Sequence, residues 1–203
     1  NVFENQIECV FHFAAFARIG ESNSNPSPFF ENNVTQMISL LDVMKNSNCK
    51  KIIFSSSAAI FGNPINIPIN ENHPKNPINS YGETKLIGEK ILEWYYKGYD
   101  IKSISLRYFN VYGPRMDVEG DYATVIGKFL RLKDERKPFT IIGDGKQTRD
   151  FTNVRDVAEA NILASQIENG RGEVINIGAG SNHSVQEIAD IIGGEHAHVP
   201  ERP

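Results

Sequence analysis

Apolar residues follow two rhythms along this chain. Short β-branched and aromatic runs of strand length recur, and between them lie longer stretches whose apolar residues return every three or four positions. The first run, near Cys9–Phe13, leads to a stretch from about Pro28 to Lys45 in which Val34, Ile38, Leu41 and Met44 or Lys45 approximate a helical stripe. A strand at Ile52–Phe54 follows, then a Pro- and Asn-rich loop from Asn63 to Asn79, longer than a tight connector needs to be. A helix opening near Ser80 carries Ile87, Ile91, Trp94 and Tyr95 on its packing side, and a strand at Ile101–Leu106 closes the block. Beyond Pro114 the character changes. A loop at Met116–Gly120 precedes a short helix around Ala123–Leu132 and a strand at Pro138–Ile142. Asn153 and Asp156 occupy N-cap and N3 positions for a helix to about Gln166. A strand at Glu173–Ile177 leads to Ser184-Val185-Gln186-Glu187, a capping box for a helix with Val185, Ile188, Ala189 and Ile192 on one face. Strands alternating with helices predict an α/β protein with a doubly wound parallel sheet.

Composition narrows the picture a little. With 203 residues, 40% hydrophobic and 23% charged, the chain resembles ordinary globular proteins and can bury a sizeable core as one domain or one and a half. A net charge of −4 with no basic stripe argues against nucleic acid as a partner. No apolar segment approaches membrane-spanning length, and no signal peptide opens the chain. Cys9 and Cys49 are too few for a disulfide scaffold, so a reducing cytoplasm is expected. On that reading the sequons Asn33-Val34-Thr35 and Asn182-His183-Ser184 are not used, and His196-Ala197-His198 lacks the further ligands zinc would need.

The chemistry concentrates in Ser80-Tyr81-Gly82-Glu83-Thr84-Lys85. A tyrosine and a lysine four residues apart share a helix face. A nearby ammonium favours the phenolate, and a phenol tuned that way can move a proton to or from a hydroxyl. A surface lysine beside a packing tyrosine would look the same, so the pair needs company. Upstream, Ile52-Ile53-Phe54 runs into Ser55, Ser56 and Ser57, a buried strand whose carboxyl end presents hydroxyls. Ligands of open α/β sheets bind outside such strand ends. Val10-Phe11-His12-Phe13-Ala14-Ala15 ends in small residues, and the strand through Leu106 ends at the polar tip Asn110. His12 reads as a satisfied strand histidine rather than a catalyst.

Taken in order, HFAA, SSSAAIFG, SYGETK and RYFNVYGP resemble the extended branch of the short-chain dehydrogenase/reductase superfamily, and within it the NAD-dependent nucleotide-sugar epimerase/dehydratase family, nearest to its UDP-glucose 4-epimerase group. Gly143-Asp144-Gly145-Lys146-Gln147-Thr148-Arg149-Asp150-Phe151 resembles that group's substrate-phosphate motif, and Pro200-Glu201-Arg202-Pro203 the start of its RPGD-like motif. The glycine-rich turn with which the family opens is not in this sequence, and the chain stops inside the last motif, so an internal fragment of a larger enzyme is expected.

The resemblance implies a partial Rossmann sheet over residues 1–114 and a smaller mixed α/β, mostly nucleotide-sugar-binding region over 115–203, with elements near 151–177 packing back on the first. It implies Tyr81 as acid/base, Lys85 lowering its pKa and holding the nicotinamide ribose, and Ser57 bonding the reacting oxygen. Ser55 and Ser56 become strand-end backbone beside the cofactor. Phe13, Ala14, Ala15, Ala17, Asn32 and Phe109 match positions lining NAD. Asn110 and Arg149 match donors to a UDP-sugar, Arg202 a second diphosphate-binding arginine, and Thr140 and Ile142 offer backbone groups to uracil. An arginine suits a diphosphate because its guanidinium forks onto phosphate oxygens; Arg149 could equally pair with Asp150. Where related 4,6-dehydratases carry an acidic pair, Ala58 and Ala59 stand, which leaves the minimal machinery for C4 epimerisation through a 4-keto sugar. A dehydratase, decarboxylase or reductase of the same superfamily, or a non-catalytic dinucleotide sensor, are the alternatives. No metal is implied. A cytoplasmic homodimer is the expected state.

Overall fold

A computed structural model describes residues 6–120 and 122–200. In chain order its elements are β1 (Val10–His12), α1 (Ile19–Ser24), α2 (Ser27–Phe30), a π-helical turn (Glu31–Thr35), α3 (Gln36–Lys45), β2 (Lys51–Ser57), a 3₁₀ turn (Ala58–Phe61), α4 (Ser80–Tyr99), β3 (Lys102–Tyr108), β4 (Asn110–Tyr112), α5 (Val125–Asp134), β5 (Phe139–Ile142), β6 (Thr148–Asn153), α6 (Val154–Gln166), β7 (Glu173–Ile177), β8 (Asn182–Ser184), α7 (Val185–Ile192) and β9 (His196–Val199). The chain folds as two compact units. One holds the described residues through Tyr108 together with Val157–Ile177; the other holds Phe109–Asp156 and the described residues from Gly178 onward.

The first unit is built on a four-stranded, all-parallel sheet in the order β1-β2-β3-β7. Parallel strands covered on both faces read as continuous apolar runs, which is why Ile52–Phe54 and Ile104–Leu106 are buried throughout. On one face Met37, Leu41 and Met44 of α3 and Leu92 of α4 pack against Ile52, Phe54 and Ile101. On the other, Ala164 of α6 covers Ile53, Ile104 and Leu106.

Two helix faces differ from the periodicity reading. Glu31–Thr35 forms a π-helical turn between α2 and α3. The extra residue of such a turn rotates the helix after it by about 100°, so Met37, Leu41 and Met44 face the core while Ile38 is 36% exposed. On α4 Trp94 is 70% exposed, and the packing face runs through Lys85, Gly88 and Leu92. Gly88 decides this, because a Cβ there would stand 2.7 Å from Phe54 Cζ. The helix thus rides closer to the sheet than the apolar stripe alone suggests. Strand β2 also runs on through all three serines, whose Cα partners are Leu106, Arg107 and Tyr108 of β3.

The second unit has a three-stranded mixed sheet, β4-β6-β8, and a separate parallel pair, β5-β9. Its core centres on Phe129 stacked on Phe139, ring centroids 4.8 Å apart, with Ile126, Ile141, Phe151, Val185 and Ile188 around them. The capping box at α7 forms in both directions, Glu187 N to Ser184 Oγ at 3.0 Å and Ser184 N to Glu187 Oε2 at 2.7 Å. Asn110 opens β4 of this sheet rather than ending the strand before it. β6, β8 and β9 carry little apolar signal, since Thr148–Asn153, Asn182–Ser184 and His196–Val199 are short and largely polar. Their backbones pair because neighbouring strands offer partners. Among the described residues no helix is long and apolar enough to cross a membrane.

Candidate functional site

The start of α4 is fixed from three directions. Asn79 caps it, its Oδ1 accepting from Gly82 N at 2.8 Å. Ser22, fully buried in α1, accepts from Tyr81 N at 3.3 Å through Oγ, and its carbonyl accepts from Ser80 Oγ. Gly82 lets the first turn lie on the 3₁₀ turn, since a Cβ there would come 2.6 Å from the Ala59 carbonyl oxygen. Ser57 leads into that turn, its Oγ accepting from Ala59 N at 3.2 Å. The result brings the Tyr81 phenol beside the Ser57 hydroxyl.

Lys85 lies one turn further on, 3% exposed, and its Nζ donates to the Ser55 carbonyl at 2.6 Å. The ammonium stands 5.0 Å from the Phe54 ring centroid and 5.8 Å from that of Tyr81. Burial pushes it down to about 8. The Tyr81 phenol is pushed up by burial, with only the Ser57 hydrogen bond acting the other way. That differs from the expected acidification by Lys85. The ammonium's hydrogen bond goes to strand backbone and its charge sits over the tyrosine ring, so desolvation wins. His12 stacks on Phe54 at 5.9 Å and is pushed down to about 4, first by burial and then by the charge of Lys85. It is a neutral, packed histidine.

The three serines separate by strand alternation. Ser55 lies beside Tyr108, whose hydroxyl donates to Asn161 Oδ1 at 2.9 Å. Ser56 is 1% exposed, and its Oγ donates to Glu89 Oε1 at 2.6 Å. Arg107, fully buried, forks onto the same carboxylate through Nε at 2.9 Å and Nη2 at 2.8 Å. Neither Glu89 nor Arg107 stood out as a site residue in the sequence. The one available signal was that Glu89 continues the spacing of Tyr81 and Lys85 by a further four residues.

At the end of β1, Phe13 is 55% exposed, Ala14 and Ala17 are exposed, and Ala15 is half-buried. The turn they form is held by Asn33, which accepts from Phe16 N at 2.8 Å and donates to the Phe16 carbonyl and to Thr84 Oγ1, each at 3.0 Å. Asn32, half-buried, donates to Asn33 Oδ1 at 3.0 Å. Asn33 is 4% exposed, so the first sequon is internal structure.

In the second unit Arg149 is exposed on β6 and, among the described residues, makes one hydrogen bond, from Nη1 to the Thr148 carbonyl at 2.7 Å. Asp150 does not pair with it. Its carboxylate accepts from Ala179 N and Gly180 N, each at 2.8 Å, and from Thr152 Oγ1 at 2.9 Å. Asn110 is exposed on the neighbouring strand, in register with Phe151. Phe109 is half-buried beside Gly178. Thr140 and Ile142 lie on β5, which pairs with β9 on one side in a two-stranded sheet; the Ile142 carbonyl accepts from Gln147 Nε2 at 3.2 Å. Arg202 lies outside the described residues.

The profile of the family described as "NAD dependent epimerase/dehydratase family" matches residues 1–178. The chain belongs to that family. A UDP-glucose 4-epimerase of Lactobacillus helveticus is 42% identical over 202 residues, covering 92% of this chain and 61% of the relative. Among solved structures, a UDP-glucose 4-epimerase of Thermotoga maritima with UDP-glucose superposes with a TM-score of 0.92 at 36% identity, covering 99% of this chain and 67% of that one. A UDP-glucose 4-epimerase of Brucella ovis in complex with NAD gives 0.86 at 33% identity, over 96% and 66%. The chain thus spans about three fifths of the length of the curated relatives it matches.

This member of the epimerase/dehydratase family has residues that fit a nicotinamide cofactor. An ammonium has three donors, and Lys85 gives one to Ser55, leaving N–H groups for a ribose diol beside the Tyr81 phenol. Ala14 and Ala17 keep the end of β1 free of bulk, and Phe13 offers an exposed apolar ring.

Proposed function

We propose that this chain carries the catalytic residues of an NAD-dependent UDP-hexose 4-epimerase. Tyr81 takes the proton of the sugar 4-hydroxyl and returns it, and Ser57 holds the reacting oxygen. Lys85 fixes the tyrosine ring and bonds the cofactor ribose. When bound, NAD supplies the hydride acceptor and donor for C4. Burial holds the phenol above its ordinary value, so Tyr81 rests in its acid form. Asn110, Arg149 and Arg202 are assigned to the nucleotide sugar, with backbone groups at Thr140 and Ile142 for uracil. Phe13, Ala14, Ala15, Ala17, Asn32 and Phe109 are assigned to the cofactor. The anchored nucleotide leaves the transient 4-ketose free to present its other face.

The observation that carries this reading is the Tyr81 phenol standing beside the Ser57 hydroxyl, one helical turn from a buried Lys85 whose Nζ donates to the Ser55 carbonyl at 2.6 Å. Ala58 and Ala59 follow Ser57 directly and supply no acid or base for eliminating water, which favours epimerase over dehydratase. We further place the protein in the cytoplasm as a homodimer, with no nucleic acid or membrane partner. The test is to incubate the full-length gene product and NAD with a panel of UDP- and dTDP-sugars. The 4-epimer should form with no loss of water or CO₂ and no net cofactor reduction. Loss of water, loss of CO₂ or net reduction would identify a dehydratase, decarboxylase or reductase instead. Binding without turnover would identify a sensor.

A further inference from the structure

Three residues at equal spacing on α4 reach three consecutive serines of β2. Tyr81 faces the Ser57 hydroxyl, Lys85 donates to the Ser55 carbonyl, and Glu89 accepts from the Ser56 hydroxyl. The first two ties involve groups assigned to the reaction. The third does not, and it is the most strongly built. Glu89 and Arg107 side chains are 7% and 1% exposed, and the guanidinium forks onto both carboxylate oxygens. Arg107 is the Cα partner of Ser56 across β2 and β3, so one carboxylate is gripped by two neighbouring strands at the same level. The third guanidinium nitrogen, Nη1, donates to the Glu71 carbonyl at 3.0 Å, and the Arg107 guanidinium stands 5.2 Å from the ring centroid of Phe61, the last residue of the 3₁₀ turn that Ser57 starts. Glu71 in turn accepts from Asn176 N of β7 at 2.9 Å.

We infer that Ser56, Glu89 and Arg107 are positioning residues that set the distance between the Tyr81 phenol and the Ser57 hydroxyl. The geometry gives them leverage. Glu89 lies eight residues beyond Tyr81, about 12 Å along the helix axis. A tilt of about 5° around the Glu89 contact therefore moves the phenol by about 1 Å, and a misplacement of that size can cost about a hundredfold in rate. The N-terminal ties at Ser22, Asn79 and Gly82 fix one end of α4; the Glu89 carboxylate fixes its rotation and height at the other. Ser56 is the component that joins the carboxylate to the serine strand itself. A hydroxyl rather than an apolar residue at this buried position is explained by that connection.

This inference rests on Tyr81 being the acid/base. The test uses the full-length gene product with NAD and UDP-glucose, and compares Ser56→Ala, Ser56→Thr and Tyr81→Phe. Ser56→Ala keeps the Glu89–Arg107 pair intact, so it should fold, with Tm lowered by about 10 °C at most. It should lower kcat about tenfold while KM, and UDP affinity by calorimetry, stay within about twofold. The acid limb of its pH–rate profile, where activity rises as Tyr81 ionises, should move to higher pH, because a displaced Ser57 no longer stabilises the phenolate. Ser56→Thr, which keeps the hydroxyl, should recover most of the rate. Unchanged kcat and pH profile in Ser56→Ala, with Tyr81→Phe slow, would overturn the positioning role and leave the base intact. Equal losses in Ser56→Ala and Ser56→Thr would also overturn it, since the hydroxyl would then not matter. A Tyr81→Phe enzyme at wild-type speed would remove the base and the positioning role together.

Discussion

The polar residues of the two units are held in opposite ways. In the first, Lys85 and Arg107 are almost completely buried and every tie is short and internal. In the second, Arg149 is exposed with a single bond to a neighbouring carbonyl, and the acid beside it is fully engaged with backbone amides and a threonine hydroxyl. On the proposed function the contrast separates two tasks. Proton transfer needs a geometry fixed before the ligand arrives, and burial with full hydrogen bonding supplies it. Holding a diphosphate needs a charge that is unspent until the ligand arrives, and an exposed guanidinium with a fixed base supplies that.

Breaking the buried side should have the largest effect. Glu89→Ala leaves the Arg107 charge buried without its carboxylate, and should destabilise the full-length protein by about 3–5 kcal/mol. Urea unfolding reads this directly; a loss below about 1 kcal/mol would mean that water or Glu71 replaces the carboxylate. Tyr81→Phe should spare folding and UDP affinity but lower kcat at least about a hundredfold. Ser57→Ala should be milder, because it positions the proton path without providing the base. Near wild-type turnover in Tyr81→Phe across the pH range would end the proposed mechanism. On the exposed side, Arg149→Ala should weaken UDP binding by about 1.5–3 kcal/mol and leave stability and NAD affinity nearly unchanged. Equal losses for both ligands by calorimetry would instead assign Arg149 to folding.

The smallest effect sharpens the comparison through pH. Burial, aided by Lys85, holds His12 at about 4 in the folded protein, whereas the unfolded chain takes up its proton near 6.5. Between those values the unfolded state binds more protons, so stability falls as pH drops from about 6.5 to 4, and this contribution is fully present above 6.5. After allowance for screening the loss is about 1–2 kcal/mol. His12→Gln should flatten the urea midpoint over that window; an unchanged slope would place its origin elsewhere.

Much of this architecture was legible in the sequence because local rules suffice for it. The parallel strands announce themselves as apolar runs, the cap at Ser184 as a fixed spacing, and the Tyr81–Lys85 pair as one helix face. The polar strands β6, β8 and β9 were not legible, because their only cause is a neighbouring strand with unpaired backbone groups. The bond from Ser56 to Glu89 was not legible for a related reason. Three identical residues in a row cannot show which of them a pleated strand turns toward which face until the sheet's two coverings are known.

By itself the sequence determined the class of fold, the order of its apolar strands and longer helices and the identity of the residues proposed to carry the chemistry, since periodicity, capping and motif spacing are properties of neighbours along the chain. Only the tertiary structure decided that a π-turn rotates α3, that burial pushes the Tyr81 phenol up, and that Glu89 and Arg107 stand behind the site. Each of these depends on distances between elements far apart in sequence, where desolvation and packing, not local preference, fix the outcome.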